Sequence, residues 1–301
     1  IERNELYLYG YNNYDFLEGR FFHNVLDENM KIIRQVNHSL MNNGMVHDIG
    51  ETKNHLIIPD MPLKYDFSKI MENKLPLLFD TNGTTRFGVF SKNEPENIDW
   101  YSLEENIFIF HFCKGCETKD SFTTFACVMD YLDMMDFINL DNEESKIRGN
   151  LRLQKLVLNK KTKKVTIEKN PYIEHLREHY GLNCDYNLDF PIENRDFPYV
   201  YSSIFNASNG KIIGMIRINT DNFVNSKPNV CLFTDRYMNS EPQILSINNK
   251  DYILSFTYDS TDQSYISLLD MEKDIIYDVN MPSFLRIPPG FHSYYFNRKR
   301  K

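Results

Sequence analysis

Three histidines stand in apolar, strand-like or strand-end settings: Gly44-Met45-Val46-His47-Asp48, Phe108-Ile109-Phe110-His111-Phe112 and Pro289-Gly290-Phe291-His292. Imidazole both carries protons near neutral pH and ligates divalent metals. Taken singly, each is ordinarily a core residue satisfied by a hydrogen bond, and on spacing alone a shared metal site is the rarer alternative. His175 and His179 lie four apart. On a helix they would share a face and could grip one metal ion. No glutamate directly follows the first of them, as a zinc-protease helix needs, so a solvated helix face is the ordinary reading. Cys113 and Cys116 have zinc-site spacing, but Cys127, Cys184 and Cys231 supply no second pair nearby. A thioredoxin-like βαβ setting is also absent, which leaves two ordinary thiols near a strand end. No G-x-S-x-G, P-loop or dinucleotide-binding glycine pattern occurs, which weakens hydrolase, NTPase and dehydrogenase readings.

The elements that would carry these residues read as strands. Short alternating or apolar runs recur, separated by Asn, Asp, Gly and Pro: 5–9, 54–58, 106–112, 121–129, 151–158, 163–168, 211–218, 252–258 and 264–269. Asn159-Lys160-Lys161-Thr162 and Asp259-Ser260-Thr261-Asp262 read as hairpin turns. Helical signals are confined to 132–148 and to 171–180, where Pro171 opens the first turn and Gly181 follows the last. The 22 Phe and 19 Tyr favour strands. Many strands with few helices point to one large all-β domain, a sandwich or a propeller.

A net charge of −8 argues against a nucleic-acid partner. The basic run Arg298-Lys299-Arg300-Lys301 is read as a solvated tail. Five scattered cysteines speak against a disulfide framework and for a reducing, cytoplasmic compartment. No apolar run reaches the length of about 20 residues that a membrane helix needs. The sequons at Asn37, Asn82 and Asn206 carry little weight in so Asn-rich a chain.

The words around the histidines are more specific. "MVHDIGETKNHLIIPDMPLKYD" (45–66), "TTRFGVF" (84–90), "WYSLEENIFIFHFCKGCETKD" (100–120), "LDFP" (188–191), "SEPQ" (240–243), "YILSFTYD" (252–259) and "PPGFH" (288–292) resemble, in order, segments of the carotenoid-cleavage oxygenases. That family includes carotenoid and apocarotenoid cleavage enzymes, the retinal pigment epithelium isomerohydrolase and lignostilbene-cleaving enzymes. The resemblance implies a seven-bladed β-propeller with a ferrous ion, Fe(II), on its axis, held by four histidines. It implies that His47, His111 and His292 are three of them. Glu241 and Asp189 would orient ligands by accepting the other ring proton. Asp189 stands where the family has glutamate, one methylene longer, and its hydrogen bond, toward His111, would be lengthened or bridged by water. Ser293 replaces a frequent glycine, a minor departure.

The resemblance further implies an incomplete propeller, with 1–301 forming a single partial domain. A fourth histidine, in an Ala-His-Pro word, is expected about three residues before Ile1, and a further glutamate and the first blades upstream. The implied activity is dioxygen-dependent cleavage of a conjugated C=C bond in a carotenoid, apocarotenoid or stilbene-like alkene, giving carbonyl products. The competing expectations are a catalytically inactive remnant that only binds a partner or apolar ligand, and an unrelated propeller interaction module. Peripheral membrane contact is expected through 75–79, or through Met134 and Met135 with Phe137; a buried loop is the alternative for these segments.

Overall fold

The computed structural model describes residues 5–12, 19–42, 44–72, 76–80, 82–129, 151–182, 186–194, 196–206, 209–285 and 287. They pack as two compact units, one built mainly on residues up to 124 and the other mainly on those from 168. The expected helix within 132–148 lies outside the described residues.

In the first unit, β1 (Leu6–Asn12), β2 (Gly19–Leu26) and β3 (Ile32–Leu40) form an antiparallel sheet in chain order. β4 (Gly50–Glu51) and β5 (His55–Asp60) begin a second sheet. The small pair β6 (Leu63–Tyr65) and β7 (Leu77–Phe79) interrupts it, with a 3₁₀ turn over Phe67–Glu72 between them. β8 (Thr85–Ser91) and β9 (Ile98–Leu103) complete it in the order β4-β5-β8-β9. Alternation in β2 points Phe21, His23 and Val25 inward. Phe21 and Leu40 of the first sheet meet Leu56, Ile58 and Phe90 of the second, with Val46 and Ile49 beside them. The chain just before β4 is therefore part of the core, and that fixes His47 between two buried apolar neighbours.

A four-stranded sheet follows in chain order: β10 (Phe108–Glu117), β11 (Ser121–Met129), β12 (Arg152–Asn159) and β13 (Val165–Glu168). β11 is buried continuously from Phe122 to Met129, which is why its sequence is an unbroken apolar run with threonines rather than an alternation. The Asn159 carboxamide caps the β12–β13 turn, accepting from Lys161 N at 3.0 Å and Thr162 N at 2.9 Å.

The second unit opens with α1 (Tyr172–Tyr180), which ends at Gly181 with φ +66°. Its nine-stranded sheet comprises β14 (Tyr186–Glu193), β15 (Tyr199–Asn206), β16 (Ile212–Asn219), β17 (Asn229–Leu232), β18 (Arg236–Met238), β19 (Gln243–Ile247), β20 (Lys250–Asp259), β21 (Ser264–Asp270) and β22 (Ile275–Asn280). The path runs β14-β15-β16-β18-β20-β21-β22, with β17 on β16 and β19 on β20. Tyr201, Met215, Cys231, Met238, Ile253 and Leu269 fill its core. The Asp259 carboxylate accepts from Thr261 Oγ1 at 2.7 Å, Tyr265 OH at 2.7 Å and Thr261 N at 2.8 Å. The hydroxyl donors from Thr261 and Tyr265 hold this carboxyl well below the usual range. The all-β expectation holds, with α1 the one α-helix among the described residues; no sheet among them closes on itself.

Candidate metal centre

Local chain geometry places His47. Gly44 bridges Lys64 of β6, and Met45 N donates to Leu63 O at 3.0 Å. A Cβ on Gly44 would lie 2.3 Å from Leu63 O, so only glycine lets the backbones approach this closely. Four residues after Gly44 the Asp48 carboxylate takes Ile49 N at 2.8 Å on one oxygen and Phe112 N of β10 at 2.7 Å on the other. That clamp joins points 64 residues apart.

The clamp brings His47 and His111 together. Their ring centroids are 5.1 Å apart, with planes at 79°. Phe110 meets His47 edge-on at 5.3 Å, and Phe108 in turn meets Phe110 at 4.7 Å. His47 is exposed and His111 half-buried, with its Nε2 sealed from solvent. With a metal–nitrogen bond of about 2.1 Å, each centroid lies about 3.2 Å from a shared ion, and two imidazoles in cis positions are then about 5 Å apart. The observed pair fits that arrangement. Among the described residues no group of three or more His, Cys, Asp or Glu converges on one point.

A buried ion pair braces the loop from behind. Asp60, 1% exposed, takes Arg86 Nε at 2.7 Å, Met41 N at 2.7 Å, and Asn42 N and Nδ2 at 3.1 Å each. Arg86 also covers the Trp100 ring, with Cζ 3.7 Å from its centroid. Asp60 and Arg86 belong to two of the segments that carry the family resemblance, and their work is structural: they fix the turn leading into Gly44.

At the far end of β10 a second polar cluster escaped sequence reading. His55 Nδ1 lies 2.5 Å from Glu117 Oε2, which also accepts from Thr52 Oγ1 at 3.0 Å, while Asn54 Nδ2 donates to the other oxygen. Burial pushes the Glu117 carboxyl up, but the hydrogen bonds from His55, Thr52 and Asn54 outweigh it and hold it low. Another missed group is His23 and His38, at 0% and 5% exposure, both packed against Phe90 with centroids 5.5 and 4.9 Å away.

The remaining sequence candidates lie in the second unit or on the strand margins. Asp189 is half-buried in β14 beside a bulge against β15, where Phe190 adopts φ +48°. Bulges of this kind redirect side chains beside functional sites. Glu241 is half-buried in the turn between β18 and β19. The neighbouring Asn239 Nδ2 holds Ile287 O at 3.0 Å, five residues before His292, which lies outside the described residues. The structure thus brings His47 and His111 together and describes Asp189 and Glu241 in their own unit. Cys113 and Cys116 are not in a disulfide, and Lys114 between them adopts φ +29°. His175 and His179 face each other on α1, with centroids 4.3 Å apart.

Comparison with known proteins places this geometry in context. The model of the family described as retinal pigment epithelial membrane protein matches residues 1–297. The carotenoid 9,10(9',10')-cleavage dioxygenase 1 of Phaseolus vulgaris is 24% identical over 286 residues, covering 85% of this chain and 49% of that protein. The carotenoid 9,10(9',10')-cleavage dioxygenase of Crocus sativus is also 24% identical, over 285 residues, covering 85% and 49%. The chain thus spans about half the length of these curated relatives. Among solved structures, the lignostilbene dioxygenase of Pseudomonas brassicacearum superposes with a TM-score of 0.73 at 14% identity, covering 96% of this chain and 63% of that one. A cobalt-substituted Synechocystis apocarotenoid oxygenase superposes at 0.72 with 14% identity, covering 97% and 60%. At these identities the likeness is one of fold.

Proposed function

The chain belongs to the retinal pigment epithelial membrane protein family, and on that premise we propose that it is part of a non-haem Fe(II) dioxygenase cleaving a conjugated C=C bond. The substrate class is an apolar carotenoid, apocarotenoid or stilbene-like alkene, and the products are two carbonyl compounds. The observation that carries this reading is the His47–His111 ring pair, 5.1 Å apart and locked by the Asp48 clamp on Phe112 N.

In this reading His47, His111 and His292 hold the iron, with a further histidine from upstream sequence in the parent protein. The parent protein would supply the remaining blades of a seven-bladed propeller, of which 1–301 form a single partial domain. Bound ferrous iron would supply the capacity to bind and activate dioxygen. Neutral imidazoles leave a ferrous ion dipositive, unlike a set containing a carboxylate. The protein's own residues do the positioning. Asp48 fixes the backbone on either side of the pair, Phe110 packs against the exposed face of His47, and the Asp60–Arg86 pair stiffens the approach. Asp189 and Glu241 orient ligands by accepting the second ring proton. The shorter Asp189 is the feature favouring the second reading, an inactive remnant that binds an apolar molecule without turnover.

The two readings are separated by metal analysis and turnover in a chain that includes the upstream residues. His111→Ala should lose both iron and cleavage of a carotenoid, apocarotenoid or stilbene probe. Undiminished cleavage in that variant overturns the assignment; an iron-free, inactive parent establishes the remnant.

No described helix is long and apolar enough to cross a membrane. Peripheral contact is proposed through the 3₁₀ turn and β7, where Phe67, Ile70, Met71 and Leu78 are exposed at 43%, 52%, 89% and 43%. The Met134, Met135 and Phe137 alternative lies outside the described residues. Met71→Asp with Leu78→Asp should reduce co-flotation with lipid vesicles, and unchanged flotation removes this surface from the proposal.

A further inference from the structure

α1 is held at both its inner face and its C-terminal turn. Its inner face is anchored by Tyr172 and Leu176, at 2% and 1% exposure. Its last turn is locked, because Gly181 N and Leu182 N both return to Leu176 O, the latter at 3.2 Å. On the outer face His175 is half-buried and His179 exposed. Residues four apart on a helix have Cβ atoms about 6 Å apart, so their side chains can meet but need not. Here they do: the rings stack at 4.3 Å with 27° between planes.

The pair is arranged for neutral rings. Two imidazolium ions at this separation repel, and an unliganded neutral pair gains little from stacking. Burial, His179 and the Lys227 ammonium all push the His175 pKa down, against a smaller opposite pull from Glu178. The stacked rings present two imidazole groups together on the outer face of one helix. Glu174 and Glu178 flank the pair on the same helix, and the chain carries a net charge of −8. Both favour a cation, while the exposed Lys227 opposes one.

We propose that His175 and His179 form a peripheral site for a late first-row divalent cation, Cu²⁺ or Zn²⁺, bound by two imidazole nitrogens and completed by water. Nitrogen-only donation excludes Mg²⁺ and Ca²⁺, which take oxygen ligands. Ferrous iron lies below copper and zinc in affinity for such donors. The site is thus selective against the metal assigned to His47 and His111, and it does not depend on that assignment. Bound metal would tie the last two turns of α1 together.

The test is titration of the whole chain with Cu²⁺ alone, followed by electron paramagnetic resonance and calorimetry. His47→Ala with His111→Ala serves as a background that removes the other pair. In that background the expected signal is one Cu²⁺ carrying nitrogen superhyperfine structure from two equivalent ligands. His179→Ala should weaken binding by about ten-fold or more and reduce the superhyperfine pattern from that of two nitrogens to that of one. His179 is exposed, so this variant should fold; His179→Gln gives a second, helix-compatible variant. In the same background Zn²⁺ should raise the melting temperature, and either His179 substitution should abolish the rise. Unaltered copper affinity and nitrogen coupling on removing His179 overturn the site, as does the absence of any copper bound in the background variant.

Discussion

At the level of single residues, Asp48 and Asp60 do different work within one short stretch. Asp48 is a positioning residue: its two oxygens hold Ile49 N and Phe112 N. Asp48→Ala should cost about 1–3 kcal/mol, the price of leaving buried donors unmatched. Iron retention in the parent protein should fall about 10–100-fold, as for residues that orient metal ligands. Urea unfolding and metal analysis check the two halves separately, and Asp48→Asn, which keeps one acceptor oxygen, should fall between. Asp60 is 1% exposed and faces the partly buried Arg86. Removing one partner strands the other charge, so Asp60→Ala should destabilise by about 3–5 kcal/mol. The exposed Lys164–Glu104 pair is the control, and Glu104→Ala should leave the unfolding midpoint where it was.

Among elements, the β1–β3 sheet carries a pH dependence of its own. His23 and His38 are both buried in the core. Burial lowers both pKa values below the ordinary 6.5, helped at His23 by His38 and Arg34 and opposed by Glu96; at His38 the Pro95 carbonyl and Glu96 oppose it. Below pH 6.5 the unfolded chain therefore takes up more protons than the native sheet. Stability is full above that pH and declines as the pH falls toward the depressed native values. Protection factors of the β2 amides, taken relative to intrinsic exchange, should fall between about pH 6.5 and 5, and His23→Phe should flatten the slope. This pair was not legible in the sequence, because neither histidine announces that a loop from beyond β8 will cover it. β11 was legible to the residue, since continuous burial writes an unbroken apolar run between polar ends. α1 was legible from Pro171 and Gly181. The His55–Glu117 contact spans 62 residues and leaves no local trace. Family words singled out His47 and His111, whose rings lie side by side, yet they gave no sign that Asp60 and Arg86 were braces.

For the whole molecule, β22 is the exposed margin of the large sheet, paired among the described residues with β21. Ile275, Tyr277 and Val279 stand 40%, 48% and 64% exposed along it. An apolar margin with unpaired backbone groups invites strand addition. Val279→Lys should suppress concentration-dependent association in sedimentation velocity, and an unchanged distribution would show that this margin is not adhesive. The Asp48–Phe112 clamp has a different reach. Because His47 and His111 are separated by 64 residues, an ion shared between them would close a loop as a covalent crosslink does, restricting the unfolded chain by about 4 kcal/mol. Maturation then acquires an order: both β10 and the loop before β4 must be in place before the ion can enter, and once entered it slows their escape. Chelation should register first as faster unfolding, and only afterwards as lost chemistry.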